Sequence, residues 1–195
     1  MSAYQKAAQQ ILSLAGAHPP EVGVILGSGL AGVAESFTDA VVLPYSEIDG
    51  FPPAGVEGHT GQLVMGKQGS CSVACLQGRW HAYEGHDLAD LAVPVRALKA
   101  AGCKSLLMTC AAGSLQKEMP PGSLMMLTDH INWPGLSPLI GPNDDEIGPR
   151  FTDLSNAYDD DLQKLIRQSA SSVSIALHEG VYLWCLGPNF ETPAE

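Results

Sequence analysis

Four short stretches of this 195-residue chain hold the side chains best suited to chemistry. The densest is Gln77-Gly78-Arg79-Trp80-His81-Ala82-Tyr83-Glu84-Gly85-His86. Arg79 and His81 alternate at strand spacing, so both can face one side, and Tyr83 joins them if the strand continues. An arginine fork beside an imidazole donor suits a phosphate dianion. The same pattern also fits an exposed strand end with Arg79 paired to an acid. His81, Glu84 and His86 meet no recognised ligand spacing, so no metal is expected. Gly27-Ser28-Gly29-Leu30 follows an apolar run. Its glycines permit a sharp turn with N–H groups aimed at an anion, and Ser28 adds a hydroxyl. A plain strand–helix turn fits those residues equally. Gly58-His59-Thr60-Gly61 sets a histidine between glycines, as a ligand contact or an ordinary surface turn. In Pro188-Asn189-Phe190-Glu191-Thr192, Phe190 can stack on a flat ring and Glu191 can accept from a ring N–H. The alternative is an apolar plug with a helix-capping acid.

The surrounding pattern supplies the elements that must hold these groups. Tyr4, Ala7, Ala8, Ile11, Leu12 and Ala15 recur at helical spacing, and His18-Pro19-Pro20 ends that helix. Val22 to Leu26 reads as a buried strand entering the glycine turn. Leu63–Met65 and Cys71–Leu76 read as strands joined near Gln68-Gly69. Leu88, Leu91, Ala92, Val95 and Leu98 mark a second helix, with Asp87 as N-cap and a kink or late start at Pro94. Ser105 to Cys110 and Leu124 to Leu127 are further strands. Residues 132–155 show little periodicity, as in a functional or interface loop. A third helix is placed near Ser155, with Asp159, Asp160 and Asp161 in its first turns. Val181 to Leu186 is the last strand. Strands alternating with helices indicate an α/β fold of one domain, residues 1–195. Thr192-Pro193-Ala194-Glu195 has a helix-start signature, a threonine cap with glutamate three residues on. A helix start at the last residues leads us to expect a C-terminally incomplete domain, the alternative being a frayed tail.

Composition narrows the function. The net charge of −11 argues against nucleic acid and anionic membranes as partners. No apolar stretch approaches the ~20 residues that span a bilayer. Five cysteines without a C-x-x-C pair fit a reduced, cytoplasmic setting.

Together these segments resemble the purine nucleoside phosphorylase family of the usually trimeric type, which includes inosine–guanosine and xanthosine phosphorylases. The resemblance runs from about Glu21 to Glu195 through VILGSGL, YSEIDGFP, GHTG, QGRWHAYEG, VPVRALKAAG, AAGSL, TDHIN, GPND, GPRF, NAYD, EGVY and GPNFETPAE. It implies a mixed central sheet flanked by helices, lacking its C-terminal part. It also implies cleavage of purine nucleosides (inosine, guanosine or xanthosine) by phosphate, giving free base and ribose 1-phosphate in purine salvage. Ser28, His59, Arg79, His81 and the backbone at Ala111 resemble the family's phosphate-binding groups. Tyr83 resembles its sugar contact. Phe190 and Glu191 resemble its purine contacts, Tyr182 lies near its purine pocket, and Phe151 resembles the aromatic that a neighbouring subunit presents to the sugar. His81 and Glu191 then take the catalytic roles. Phosphate is a co-substrate and no cofactor is implied; the assembly implied is a homotrimer or hexamer. Two departures stand out. The family usually has Asn where this chain has Cys110, and it continues past ETPAE with further sugar, phosphate and purine contacts. Little activity is therefore expected from residues 1–195 alone; the alternative is a non-catalytic member that binds phosphate, nucleoside or other subunits.

Overall fold

Alternating burial along the strands sets the central sheet. In β1 (Val22–Leu26), Ile25 enters one apolar cluster while Val24 and Leu26 enter another. In β3 (Gln62–Gln68) and β4 (Cys71–Gln77) the same period of two sends Leu63, Met65, Ala74 and Leu76 to the first cluster, and Val64, Val73 and Cys75 to the second. Both faces of the sheet are therefore covered. This computed structural model describes residues 1–52 and 61–195.

The chain forms two compact units, Met1–Ala112 and Gly113–Glu195. The first holds a five-stranded mixed sheet in the order β2-β3-β4-β1-β5, with β2 spanning Thr38–Pro44 and β5 Ser105–Met108. β1 runs parallel to β4 and β5, whereas β3 is antiparallel to β2 and β4. The parallel trio β4-β1-β5 therefore ends on one side of the sheet, the position where open α/β sheets bind ligands.

Helix α1 (Ala3–Ala15) buries Ala7, Ala8 and Ile11 against the first face, beside Ala97, Leu98 and Ala101 from the α3 (Val93–Ala100) region. Between them, α2 (Leu88–Leu91) starts at Asp87, whose carboxylate accepts the Ala89 N–H at 2.9 Å. Pro94 sits in the first turn of α3, where its missing N–H costs nothing. Ala34 and Phe37, around a 3-10 segment at Ala31–Ser36, cover the second face.

In the second unit, β6 (Leu124–Asn132) and β7 (Leu177–Trp184) pair in parallel. Helix α4 (Asp160–Ser172) is joined to β7 by a two-pronged ion pair: Arg167 donates through Nε and Nη2 to the two Glu179 oxygens, each at 2.7 Å.

Several boundaries differ from expectation. α4 begins at Asp160, not near Ser155, because Asp159 is the cap and accepts the N–H groups of Asp161 and Leu162 at 3.0 and 2.9 Å. Ser155 instead closes a turn on Asp153. β5 stops at Met108, β6 runs on to Asn132, and β7 starts earlier, at Leu177, and ends at Trp184. β2 was not legible at all. It is an edge strand with exposed residues, a register shift between Thr38 and Val41, and Asp39 at φ 53°.

Candidate functional site

The glycine turn is built at the carboxyl end of β1. Gly27 is buried there, and a Cβ on it would lie 2.7 Å from the Thr109 carbonyl oxygen, 2.9 Å from Arg79 Nη1 and 3.0 Å from Cys110 Cα. Only glycine lets these three segments approach so closely. Two residues on, Gly29 has a left-handed φ of 85°. Ser28, between them, is exposed.

Thr109 links the turn to the arginine. Its Oγ1 accepts the Gly27 N–H at 2.8 Å, and its carbonyl accepts from Arg79 Nη1 at 3.1 Å. Its own N–H donates to Ile25 O at 2.9 Å, continuing the β1–β5 pairing. Gln77 secures the other side of the turn: Nε2 donates to Ala31 O at 2.6 Å while Oε1 accepts from Gln62 at 2.6 Å. Ser28, Arg79 and the Thr109–Ala111 segment thus lie on the ends of β1, β4 and β5. His59 lies outside the described residues.

The strand does not continue to Tyr83, as the spacing had allowed. β4 ends at Gln77, and Gly78 takes a φ of 104°. Trp80 then packs with Tyr45 and Phe51, at ring-centroid distances of 4.7 and 5.4 Å. The buried Tyr45 hydroxyl donates to Gly78 O at 2.8 Å, which fixes the path into Arg79 and His81. Tyr83 instead sits in a 3-10 turn, Ala82–Glu84, and stacks on the His81 ring at 4.9 Å and 15°.

Glu84 organises this turn. Its Oε1 accepts the His81 backbone N–H at 2.8 Å and lies 2.7 Å from His81 Nδ1, and its Oε2 is 3.4 Å from His86 Nε2. Burial pushes this carboxyl up, but the bonds from His81 outweigh it, with help from His86, and hold it below the ordinary carboxylate value. An ionised carboxylate only accepts, so His81 Nδ1 carries a proton, and a further proton on that ring goes to Nε2. Among the described residues no cluster of three or more His, Cys, Asp or Glu is arranged to hold a metal ion.

The second unit carries the remaining candidates. Arg150 holds the loop before Phe151 by donating to Gly141 O at 2.6 Å and Leu139 O at 3.1 Å. Phe151 is 90 % exposed and Phe190 93 % exposed, while Tyr182 is half-buried on β7 beside His130 of β6. Cys185 lies next to Glu191: partial desolvation pushes its thiol up first, and the Glu191 and Glu195 charges add to this. Thr192 and Glu195 form the reciprocal capping pair, Thr192 N–H to Glu195 Oε2 at 2.6 Å and Glu195 N–H to Thr192 Oγ1 at 3.4 Å.

Sequence reasoning missed Thr109, Gln77 and Tyr45 as organisers of the site. Thr109 and Gln77 immediately follow or end apolar strand runs, and that position was the available signal. Tyr45 had none, since its partner Gly78 lies 33 residues away.

Residues 21–195 match the Phosphorylase superfamily, the class this fold defines. Purine nucleoside phosphorylase 1 of Bacillus subtilis (strain 168) is 47% identical over 176 residues, covering 90% of this chain and 65% of the relative. The chain therefore spans about two thirds of that relative's length. Isoform 2 of the Schistosoma mansoni purine nucleoside phosphorylase, solved with cytosine and ribose-1-phosphate, superposes with a TM-score of 0.91 at 40% identity. That match covers 98% of this chain and 69% of the solved one. An S. mansoni structure with adenosine gives a TM-score of 0.89 at 41% identity, covering 98% and 69%. The chain belongs to the purine nucleoside phosphorylase family.

Among the described residues, no helix is long and apolar enough to cross a membrane.

Proposed function

We propose that the whole protein cleaves purine nucleosides with phosphate, releasing the free base and ribose 1-phosphate. The carrying observation is the cradle at the ends of the parallel strands, where Gly27, Arg79 and Thr109 are locked together with Ser28 exposed beside them. In this reading Ser28, His59, Arg79, His81 and the Ala111 backbone hold the phosphate. Tyr83 contacts the sugar. Phe190 stacks on the purine, Glu191 accepts from its ring N–H, and Tyr182 lies near that pocket. Phe151, with its ring in solvent, is offered to the sugar site of a neighbouring subunit in a trimer. In this reading both units are parts of a single phosphorylase domain, and the family match, which runs through both, supports it.

The chemistry follows from these groups. A phosphate oxygen forms a bond to C1′ as the C1′–N9 bond breaks, and the departing electron pair goes to the purine. The sugar carries oxocarbenium character in between, as in glycoside cleavage. The phosphate is both nucleophile and counter-charge, so no side-chain nucleophile is required. His81, with Nδ1–H bonded to Glu84, donates to it through Nε2 when the ring carries its second proton, and the Glu191 hydrogen bond supports the departing base. Aligning two bound reactants supplies up to roughly 7–11 kcal/mol in model systems.

Support for the substrate class comes from the relatives, one solved with ribose-1-phosphate and one with adenosine. Inosine, guanosine and xanthosine are the substrates to compare, because Glu191 matches the ring N–H of 6-oxopurines. The test is inosine cleavage by the whole protein with and without inorganic phosphate. Equimolar hypoxanthine and ribose 1-phosphate, formed only with phosphate, is the expected result. Cleavage that ignores phosphate, or phosphate and nucleoside binding without turnover, contradicts the proposal.

A further inference from the structure

Gly27 cannot offer its N–H to an anion, because Thr109 Oγ1 already accepts it at 2.8 Å. This distinguishes the turn from a loop in which every glycine N–H points at the ligand. The bond has a different effect. It ties the end of β1 to the residue following β5, at the point where the chain leaves both strands. The same Thr109 accepts Arg79 Nη1 on its carbonyl at 3.1 Å. One residue therefore fixes the first atom of the glycine turn and one prong of the guanidinium. The contact is tight enough that no side chain fits at Gly27.

We infer that Thr109 is a positioning residue for the anion site: its hydroxyl sets the Gly27–Ser28 turn and the Arg79 fork in mutual register before the anion arrives. The inference rests on the functional reading above for the identity of the anion, phosphate. Three details support it. The residue lies beneath the turn, half-buried, and its side chain spends its acceptor on the turn. The hydroxyl proton has its own acceptor, Ile25 O at 3.5 Å, which turns a lone pair toward Gly27. Gln77 secures the opposite end of the turn through Ala31 O, so loss of Thr109 Oγ1 leaves it held at one end only. A valine keeps the shape of Thr109 and its carbonyl bond to Arg79, but it leaves the buried Gly27 N–H without an acceptor.

The experiment uses the whole protein and its Thr109→Val and Thr109→Ser variants. Inorganic phosphate is titrated by calorimetry, and KM is measured separately for phosphate and for inosine. Thr109→Val should weaken phosphate about tenfold, the value of one hydrogen bond left unmade in a buried setting, and leave the inosine KM within about twofold. Thr109→Ser restores the hydroxyl and should return phosphate binding to within about twofold of the parent. If Thr109→Val does not fold, Thr109→Ala against Thr109→Ser makes the same comparison without the extra methyl groups. Equal phosphate affinity in the parent and the hydroxyl-less variant overturns the inference while leaving the functional reading intact. An equal loss for phosphate and inosine also overturns it, because that marks a general structural role. A parent protein that binds no phosphate overturns the functional reading, and this inference with it.

Discussion

Replacing Gly27 with alanine tests the cradle most directly. The added Cβ would lie 2.7 Å from the Thr109 carbonyl oxygen and 2.9 Å from Arg79 Nη1, both inside any tolerable contact. The carbonyl is backbone and belongs to the segment leaving β5, so it yields little. The guanidinium is the movable partner, and it must leave its 3.1 Å bond to Thr109 O. Overpacking of this kind costs about 1–3 kcal/mol. The alanine stiffens the unfolded chain and recovers about 0.4–1 kcal/mol of that. The net loss is about 0–2.6 kcal/mol, which in a chain of this size lowers Tm by up to roughly 10 °C. Displacing a charged donor from its place costs phosphate more, about 1.5–3 kcal/mol, or about 10- to 150-fold in affinity. Calorimetric titration with phosphate, alongside a thermal melt, measures both. Gly27→Ala with unchanged Tm and phosphate affinity refutes the reasoning, because it would mean that β1, β5 and Arg79 do not converge on this atom.

Other outcomes follow from the same contacts. Tyr45→Phe removes the donor to Gly78 O and keeps the ring packing; it should cost about 1–2 kcal/mol in a denaturant melt and weaken phosphate less than Gly27→Ala does. Leu76→Ala opens a cavity under a side chain only 1 % exposed, and a loss of about 2–5 kcal/mol is expected by the same assay. Because Glu84 is held below its ordinary value when folded, its contribution is full above the ordinary carboxylate range and fades as pH falls through the folded value; Glu84→Gln should flatten that acid limb of a Tm-against-pH curve. Burial pushes the Cys75 thiol up to about 12 and Cys103 up to about 11, so an alkylating reagent near pH 8 should label the exposed Cys110 first, as read by peptide mass, with those two protected.

Local periodicity made the first unit largely legible. The Val22–Leu26 run, the β3–β4 hairpin around Gly69 and the Asp87 cap are decided by neighbours in sequence, and each appears where spacing places it. β2 was invisible because an edge strand with exposed Val41 and Val42 has no apolar face to alternate against. The start of α4 was misplaced because Ser155 and Asp159 are both good caps, and Ser155 was drawn to Asp153 instead. In the site, residue type pointed to Arg79 and His81. The turn that lays Tyr83 on the His81 ring depends on Glu84 reaching back to the His81 N–H, which strand spacing does not encode. Thr109 was silent for a similar reason: its partners are 82 and 30 residues away along the chain.

The confinement of the core has a kinetic consequence. Nearly all fully buried apolar side chains belong to Met1–Ala112, whereas α4 buries none and β6 only Met126. Amide protons report how often a segment opens, and segments with few buried contacts open at low free energy. In deuterated solvent, amides of β1, β3 and β4 should therefore be the last to exchange, and those of α4 among the first. Gly27 and Thr109, at the ends of β1 and β5, would take the slow clock of the sheet, so the anion cradle should persist through fluctuations that open the second unit.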